Sequence, residues 1–448
     1  MSYDQTAKKL VQRARKRGAA EAEVFLEVGR QSSCRVRDGQ IEDLTQSTSK
    51  GVGIRVIVGD RLGFAYTSDL TEGSLNAFVD RAIELARAAA PNRLNGLPTR
   101  EDLKQKRADV GVLFDPDVAN LASDWKVKAA LEMERAGKDV DARITAFANV
   151  GAGEHVSEVY LASSQGVSDH FEGTYVYLFA SPVASENGQL QTGYGVDYKR
   201  FLHELEAPEK VGRDAAERAV RMLGARKVKS QRVPVIFDPR MAAGFVGGLA
   251  SAASGDLVFQ KSSFLAPLLG RRIAPSKVNL VDDGTLARGI ATAPFDGEGV
   301  PTRKTAIIKD GKLESFLYDA FTARKARARS TGNADRGYNS LPSIGTNNLY
   351  LEAGDEDPEA LIRGVKNGFY VTAMLGHGAD LVTGDYSRGA NGMWIENGEL
   401  AFPVQEVTVA GNMLDMLKNV DGIGNDLEFR GSTGAPTLRF AEMTVAGE

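Results

Sequence analysis

From Ile144 to Phe201 the chain alternates apolar and polar residues almost without a break, in ITAFANVGAG, EVYLASSQG, TYVYLFAS and QTGYGVDYKR. A period of two sends successive side chains to opposite faces of a strand. Long runs of it, separated by short turns, call for an antiparallel sheet with one buried face. An all-helical fold is excluded by this segment alone. The same pattern occurs earlier. AEVFLEVGR at 22–30 alternates, SCRVRDGQIEDL follows with an Asp38-Gly39 turn, and GVGIRVIVGDRLGFAYTS at 51–68 turns at Gly59-Asp60. Helical periods frame these strands. Leu10, Val11 and Ala14 mark a helix over 4–17, and Leu75, Phe78, Val79, Ala82, Ile83 and Ala86 mark one over 72–90, capped by Thr71 or Asp69. Residues 91–115 read as a linker, with helices expected at 117–137 and 208–224.

The second half has a different texture. Of the 48 glycines, 20 lie in 1–224 and 28 in 225–448. VPVIFDP at 233–239 reads as a buried strand, and MAAGFVGGLASAASGD at 241–256 as a small-residue helix packed closely on something. Strands are expected at 303–309, 312–318, 379–384, 392–397 and 404–410, with helices near 319–329, 357–366 and 411–419. The expected fold is α+β in two domains, 1–224 (with subregions 1–90 and 116–224) and 225–448, the latter Gly-rich, with strands and packed helices. The connector ARKVKSQR at 225–232 sets the boundary.

Residue content limits the chemistry. Lys and Arg total 55 against 59 Asp and Glu, a net charge of −4, without the basic excess of a nucleic-acid-coating protein. Arg324, Lys325, Arg327 and Arg329 read as the solvated end of a helix, because no aromatic residues interleave with them. The single cysteine, Cys34, sits in a strand pattern and reads as structural, and it excludes an internal disulfide or Cys-rich metal site. No apolar run is long enough to span a bilayer, and the polar N-terminus has no signal-peptide core, so the expected location is the cytoplasm. Neither a P-loop nor a G-x-G-x-x-G strand–helix turn is present, and Gly384–Gly389 is one residue too long for G-x-S-x-G. The four histidines are His155, His170, His203 and His377. His203-Glu204 is not followed by a second histidine, and Pro208 interrupts a helix there. His377, between two glycines, is the exception, and with Asp380, Asp385 and Arg388 it forms a possible binding site.

Longer strings carry a resemblance. EVFLEVGRQSSCRVRDGQIEDLTQSTSKGVGIRVIVGDRLGFAYTSDLT, VIFDPRMAAGFVGGLASAASGD, AIIKDGKLESFLYDAFTARKARARSTGNADRG and GADLVTGDYSRGANGMWIENGELAFPVQEVTVAGNMLDMLKNVDGIGNDLEF resemble the TldD/PmbA family, also called modulators of DNA gyrase. In its TldD-type branch the small-residue helix carries H-E-x-x-x-H, and a C-terminal cysteine completes a zinc site. Here no histidine or glutamate lies between Arg240 and Gly297, and no cysteine follows Asn425. The sequence is therefore similar to the PmbA, or TldE-type, branch. That resemblance implies a non-catalytic subunit of a heterodimeric zinc metallopeptidase acting on unfolded or extended peptides. No catalytic or metal-binding residue is expected in this chain, and zinc is expected only in the TldD-type partner. The subunit would shape the substrate channel and complete the dimer, and homodimers are possible in isolation. Two other readings stay open. One is an independent metal-dependent peptidase with an atypical site around His377. The other is a regulator that touches a DNA topoisomerase through protein contacts, without binding nucleic acid or membrane.

Overall fold

The computed structural model describes residues 2–376 and 378–448. The N-terminal part contains α1 (Tyr3–Lys16), β1 (Glu21–Arg37), β2 (Gln40–Val58), β3 (Arg61–Thr67), α2 (Glu72–Ala88), and the single turns α3 (Arg100–Leu103) and α4 (Pro116–Ala119). It continues with α5 (Ser123–Lys138), β4 (Ile144–Ser163), β5 (Ser168–Glu186), β6 (Gln189–Thr192), β7 (Gly195–Lys199) and α6 (Pro208–Arg221). These strands form one sheet, in the order β3-β2-β1-β4-β5-β6 with β7 on β5. Asp38 and Gly39 both take positive φ, as the two-residue turn between β1 and β2 requires.

Strand parity decides what covers this sheet. Ala22, Val24 and Leu26 of β1 pack against α1 and α2, and Cys34 and Val36 further along pack against α5 and α6. Both helix pairs therefore lie on one face. The intervening residues Glu23, Phe25 and Glu27 point to the other face, and the C-terminal half packs there. Past the end of β3, β2 has no second neighbour among the described residues, so Gln40–Lys50 is an exposed edge.

The C-terminal half contains β8 (Gln231–Phe237), α7 (Pro239–Ala252), α8 (Gly255–Phe259), β9 (Leu280–Asp283), β10 (Lys304–Lys309), β11 (Lys312–Leu313), α9 (Ala320–Ala326), β12 (Ala334–Asp335) and β13 (Ser343–Ile344). It continues with β14 (Asn348–Leu351), α10 (Pro358–Arg363), β15 (Asn367–Leu375), β16 (Asp385–Glu396), β17 (Glu399–Asn412) and α11 (Met413–Lys418). Last come β18 (Val420–Ile423), β19 (Glu428–Arg430), β20 (Thr433–Ala435) and β21 (Leu438–Ala446). One sheet runs β17-β16-β15-β8-β21-β18, and a further β17–β21 pairing closes it into a ring. A second runs β11-β10-β9-β14-β20-β19.

Several sequence expectations need correction. Residues 379–384 form a turn rather than a strand, because Asp380 Oδ1 accepts the N–H groups of Val382 and Thr383. The expected 312–318 strand pairs with β10 over Lys312–Leu313, and Leu317 adds an isolated bridge to Ser254. The 117–137 helix breaks between α4 and α5. Arg324 is not solvated; its guanidinium donates to the carbonyls of Leu94 and Leu97 and anchors the 91–99 linker.

Buried ions join the two halves. Arg55 sits between Glu23 (3.1 Å) and Glu298 (2.8 Å), and Arg336 holds the other oxygen of Glu23 at 2.6 Å. Glu23 and Arg336 side chains are fully buried. Nearby, Asp296 accepts backbone N–H groups from Glu298, Val300 and Ala334, yet burial and then Glu298 push its carboxyl up from 3.8 to about 8. A raised folded pKa contributes stability that is complete below the unfolded value and is lost as pH rises through the folded value. Asp296→Asn should therefore gain thermal stability relative to wild type as pH climbs from about 4 to about 8. Paired melting curves across that interval check this; a stability difference that does not vary with pH contradicts it.

Candidate functional site

Helix α7 starts where Asp238 Oδ1 accepts the Met241 N–H at 2.8 Å and Pro239 fixes the first helical φ. Ala242, Ala243, Phe245, Val246, Leu249 and Ala250 form its buried side. Phe245 packs edge-on against Phe237, Phe440 and Tyr386, whose strands belong to the closed ring. The opposite side is Gly244, Gly247, Gly248 and Ser251, at helical spacing, with Gly244 and Ser251 exposed. A Cβ at Gly247 would meet nothing within 4 Å, and one at Gly244 would meet only Arg388 Nη1 at 3.9 Å. Glycine inside a helix costs about 1 kcal/mol relative to alanine. Packing within the chain does not require it at these two positions.

The hairpin of β19 and β20 packs on α7, and β20 pairs in parallel with β14. It brings Glu428, ion-paired to Arg430, and Ser432 near the helix, though these lie far from it in sequence. Proximity of helix and hairpin matches the family arrangement that the resemblance implied.

Of the proposed binding residues, His377 lies outside the described residues. Arg388 of β16 reaches toward the glycine face of α7, and its Nη2 donates to the Gly376 carbonyl at 3.3 Å. Asp385 is three residues before it on an unbulged stretch of the same strand, so it points to the other sheet face. There Asn412 Nδ2 donates to Asp385 Oδ1 at 3.3 Å. Asp380 is spent on its own turn. Asp385 and Arg388 are therefore not brought into one site. Beside Arg388, Tyr386 is buried, which pushes its hydroxyl up to about 12.

A zinc site needs three or four imidazole, thiolate or carboxylate ligands. The open side of α7 provides three glycines and a serine, and no cluster of three His, Cys, Asp or Glu able to hold a metal occurs among the described residues. The donor set does not fit zinc.

Comparison with known proteins identifies the arrangement. Residues 22–86 match the family model for PmbA/TldA metallopeptidase domain 1, residues 116–223 the central domain, and residues 230–447 the C-terminal domain. The chain belongs to the PmbA/TldD family. Metalloprotease PmbA of Escherichia coli O157:H7 is 33% identical over 93% of this chain and 90% of its own length. A PmbA homologue from Haemophilus influenzae is 31% identical over 98% and 94%. A solved Bacteroides thetaiotaomicron protein, described as a candidate modulator of DNA gyrase, superimposes with a TM-score of 0.91 at 27% identity, covering 99% of this chain and 98% of that one. TldE from Thermococcus kodakarensis shares the fold, with a TM-score of 0.89 at 22% identity over 98% and 99%. PmbA/TldD membership ties the chain to peptidase chemistry. No helix among the described residues is long and apolar enough to cross a membrane.

Sequence reasoning anticipated α7 and Arg388 separately but not their contact, since the link runs through β16 packing. The helical spacing of Gly244, Gly247, Gly248 and Ser251 was the available signal.

Proposed function

We propose that this chain is the non-catalytic subunit of a heterodimeric zinc metallopeptidase that acts on unfolded or extended peptides. It shapes the substrate channel and completes the dimer, while a TldD-type partner supplies the zinc. The observation that carries this reading is the open face of α7. The helix that bears zinc ligands in the TldD-type branch presents here only Gly244, Gly247, Gly248 and Ser251. Glycines that their own chain does not require are explained by close approach of another molecule. The free edge at Gln40–Lys50 supports the peptide part, because an extended peptide can add to such an edge by backbone hydrogen bonding.

Gly247 tests the proposal directly. Gly247→Ala should stabilise the isolated chain by roughly 0.5–1 kcal/mol, since the new Cβ meets nothing and the helix gains propensity. Gly247→Leu should leave the isolated chain folded yet weaken pairing with a TldD-type subunit, or peptide cleavage by the pair, by about tenfold or more. Thermal melts on the isolated chain and cleavage assays on the reconstituted pair measure the two effects. Unchanged pairing and cleavage with Gly247→Leu would show that the face stays open in the working assembly.

A further inference from the structure

Beside the ion network, a cavity of about 280 Å³ opens between the N-terminal sheet and the loops at 290–297 and 333–347. Phe25, Phe171 and Phe295 form apolar walls, and Glu27, Asp335 and Asn333 bring acceptors to it. Asn333 is 3% exposed. Its Nδ2 donates to Asp282 Oδ2 at 2.7 Å and to the Gly345 carbonyl at 2.9 Å. Both partners are acceptors, so the amide cannot be flipped, and Oδ1 is left buried with no donor among the described residues. A buried acceptor without a donor is costly. Asn333 lines the cavity, so a ligand or water there is a source for the missing donor.

Each of the other charged groups at the cavity already has a partner, though not at every polar atom. Arg336 also lines it, with Nε and Nη2 lacking an acceptor among the described residues. Its Nη1 is held by Glu23, and its guanidinium lies 5.1 Å from the centre of the Phe25 ring. Glu23 and Glu298 together offset Arg55 and Arg336. Arg107, 5.8 Å from the Phe295 ring, is paired with Asp169. Asp296 is occupied by three backbone N–H groups. Glu27 accepts a hydrogen bond from the Tyr338 backbone, and burial followed by the nearby Asp335 charge pushes its carboxyl up. Among the described residues, the charges at the cavity without a partner are therefore those of Glu27 and, at its exposed rim, Asp335.

We propose that this cavity binds a primary ammonium group, with Glu27, Asp335 and Asn333 Oδ1 as its acceptors and the phenylalanines holding the attached carbon chain. A primary ammonium has three N–H donors for these three acceptors, and aromatic rings attract it further. A divalent cation would need more oxygen ligands than the site supplies. Two sources present such a group: a peptide's free amino terminus and an alkylamine side chain of the lysine type. The inference concerns the chain alone and does not depend on the proposed subunit role.

Calorimetric titration of the full-length chain at neutral pH tests it, with alanyl-phenylalanine amide, its N-acetylated form, and N-acetyl-lysine methylamide as probes. At least one of the two amines binds. N-acetylation of alanyl-phenylalanine amide removes its binding if the source is the amino terminus, and binding of the lysine probe alone assigns a side-chain amine. Glu27→Gln and Asp335→Asn each weaken binding by about tenfold or more, with wild-type melting temperatures. The proposal is overturned if neither amine binds at concentrations on the order of 10 mM, or if the N-acetylated dipeptide binds as well as the free one. It is equally overturned if both variants bind like wild type, or if hippurate, a carboxylate probe for Arg336, binds more tightly than either amine.

Discussion

Glu23→Ala should lower the stability of the chain by about 3–5 kcal/mol, the range for removing one partner of a buried ion pair. Glu23 is the hinge of the seam: one oxygen faces Arg55 and the other faces Arg336. Arg55 retains Glu298, but Arg336 has no second carboxylate within ion-pair distance among the described residues. Burial already pushes the Arg336 guanidinium down, with Glu23 as the leading opposing influence. Without Glu23 a guanidinium stays buried and uncompensated. The exposed pair Lys8–Asp4 serves as a control, and Lys8→Ala there should change stability by about 0.5 kcal/mol or less. Glu23→Gln keeps acceptor capacity and should fall between the two. Urea unfolding followed by circular dichroism measures all three. A loss below about 1 kcal/mol for Glu23→Ala would mean that water or rearranged side chains solvate Arg336 in the folded protein.

Gly53→Val should be comparably damaging, by about 3 kcal/mol, for a steric reason. The segment carrying Tyr338 lies across β2, and a Cβ on Gly53 would sit 2.1 Å from the Tyr338 backbone carbonyl. A backbone atom has nowhere to rotate. Gly51 provides the comparison, because a Cβ there meets the Tyr338 ring at 2.1 Å, and a ring can swing away. Gly51→Ala should therefore cost less than Gly53→Ala. Both are read from melting temperatures. Equal losses at the two positions would show that the whole segment lifts off the sheet as a unit.

Local pattern made much of this fold legible. Alternation over 144–201 corresponds to β4, β5 and β7, and the period of Leu75, Phe78, Val79 and Ala82 corresponds to α2. Two of the strands that sequence reading missed, Asn367–Leu375 and Leu438–Ala446, flank β8 in the closed ring. Neither shows a clean period of two. A bulge interrupts pairing between Val371 and Ala373 and another between Phe440 and Met443, and each shifts the buried positions by one. Charged residues misled in a different way. Glu23, Arg55 and Arg324 look like surface residues in one dimension, and only long-range packing supplies their partners. The candidate site was legible in what α7 lacks, since the absence of ligands is a matter of residue content. Its surroundings were not, because the β19–β20 hairpin and Arg388 reach α7 only through the tertiary fold.

The central claim is that this chain holds no zinc and supplies no catalysis by itself. The most direct test is the zinc-to-protein ratio of the purified chain after dialysis, read together with hydrolysis of an extended peptide before and after adding a TldD-type partner. The account predicts a ratio near zero, no cleavage by the chain alone, and cleavage once the partner is present. A ratio near one, with cleavage by the chain alone, would contradict it.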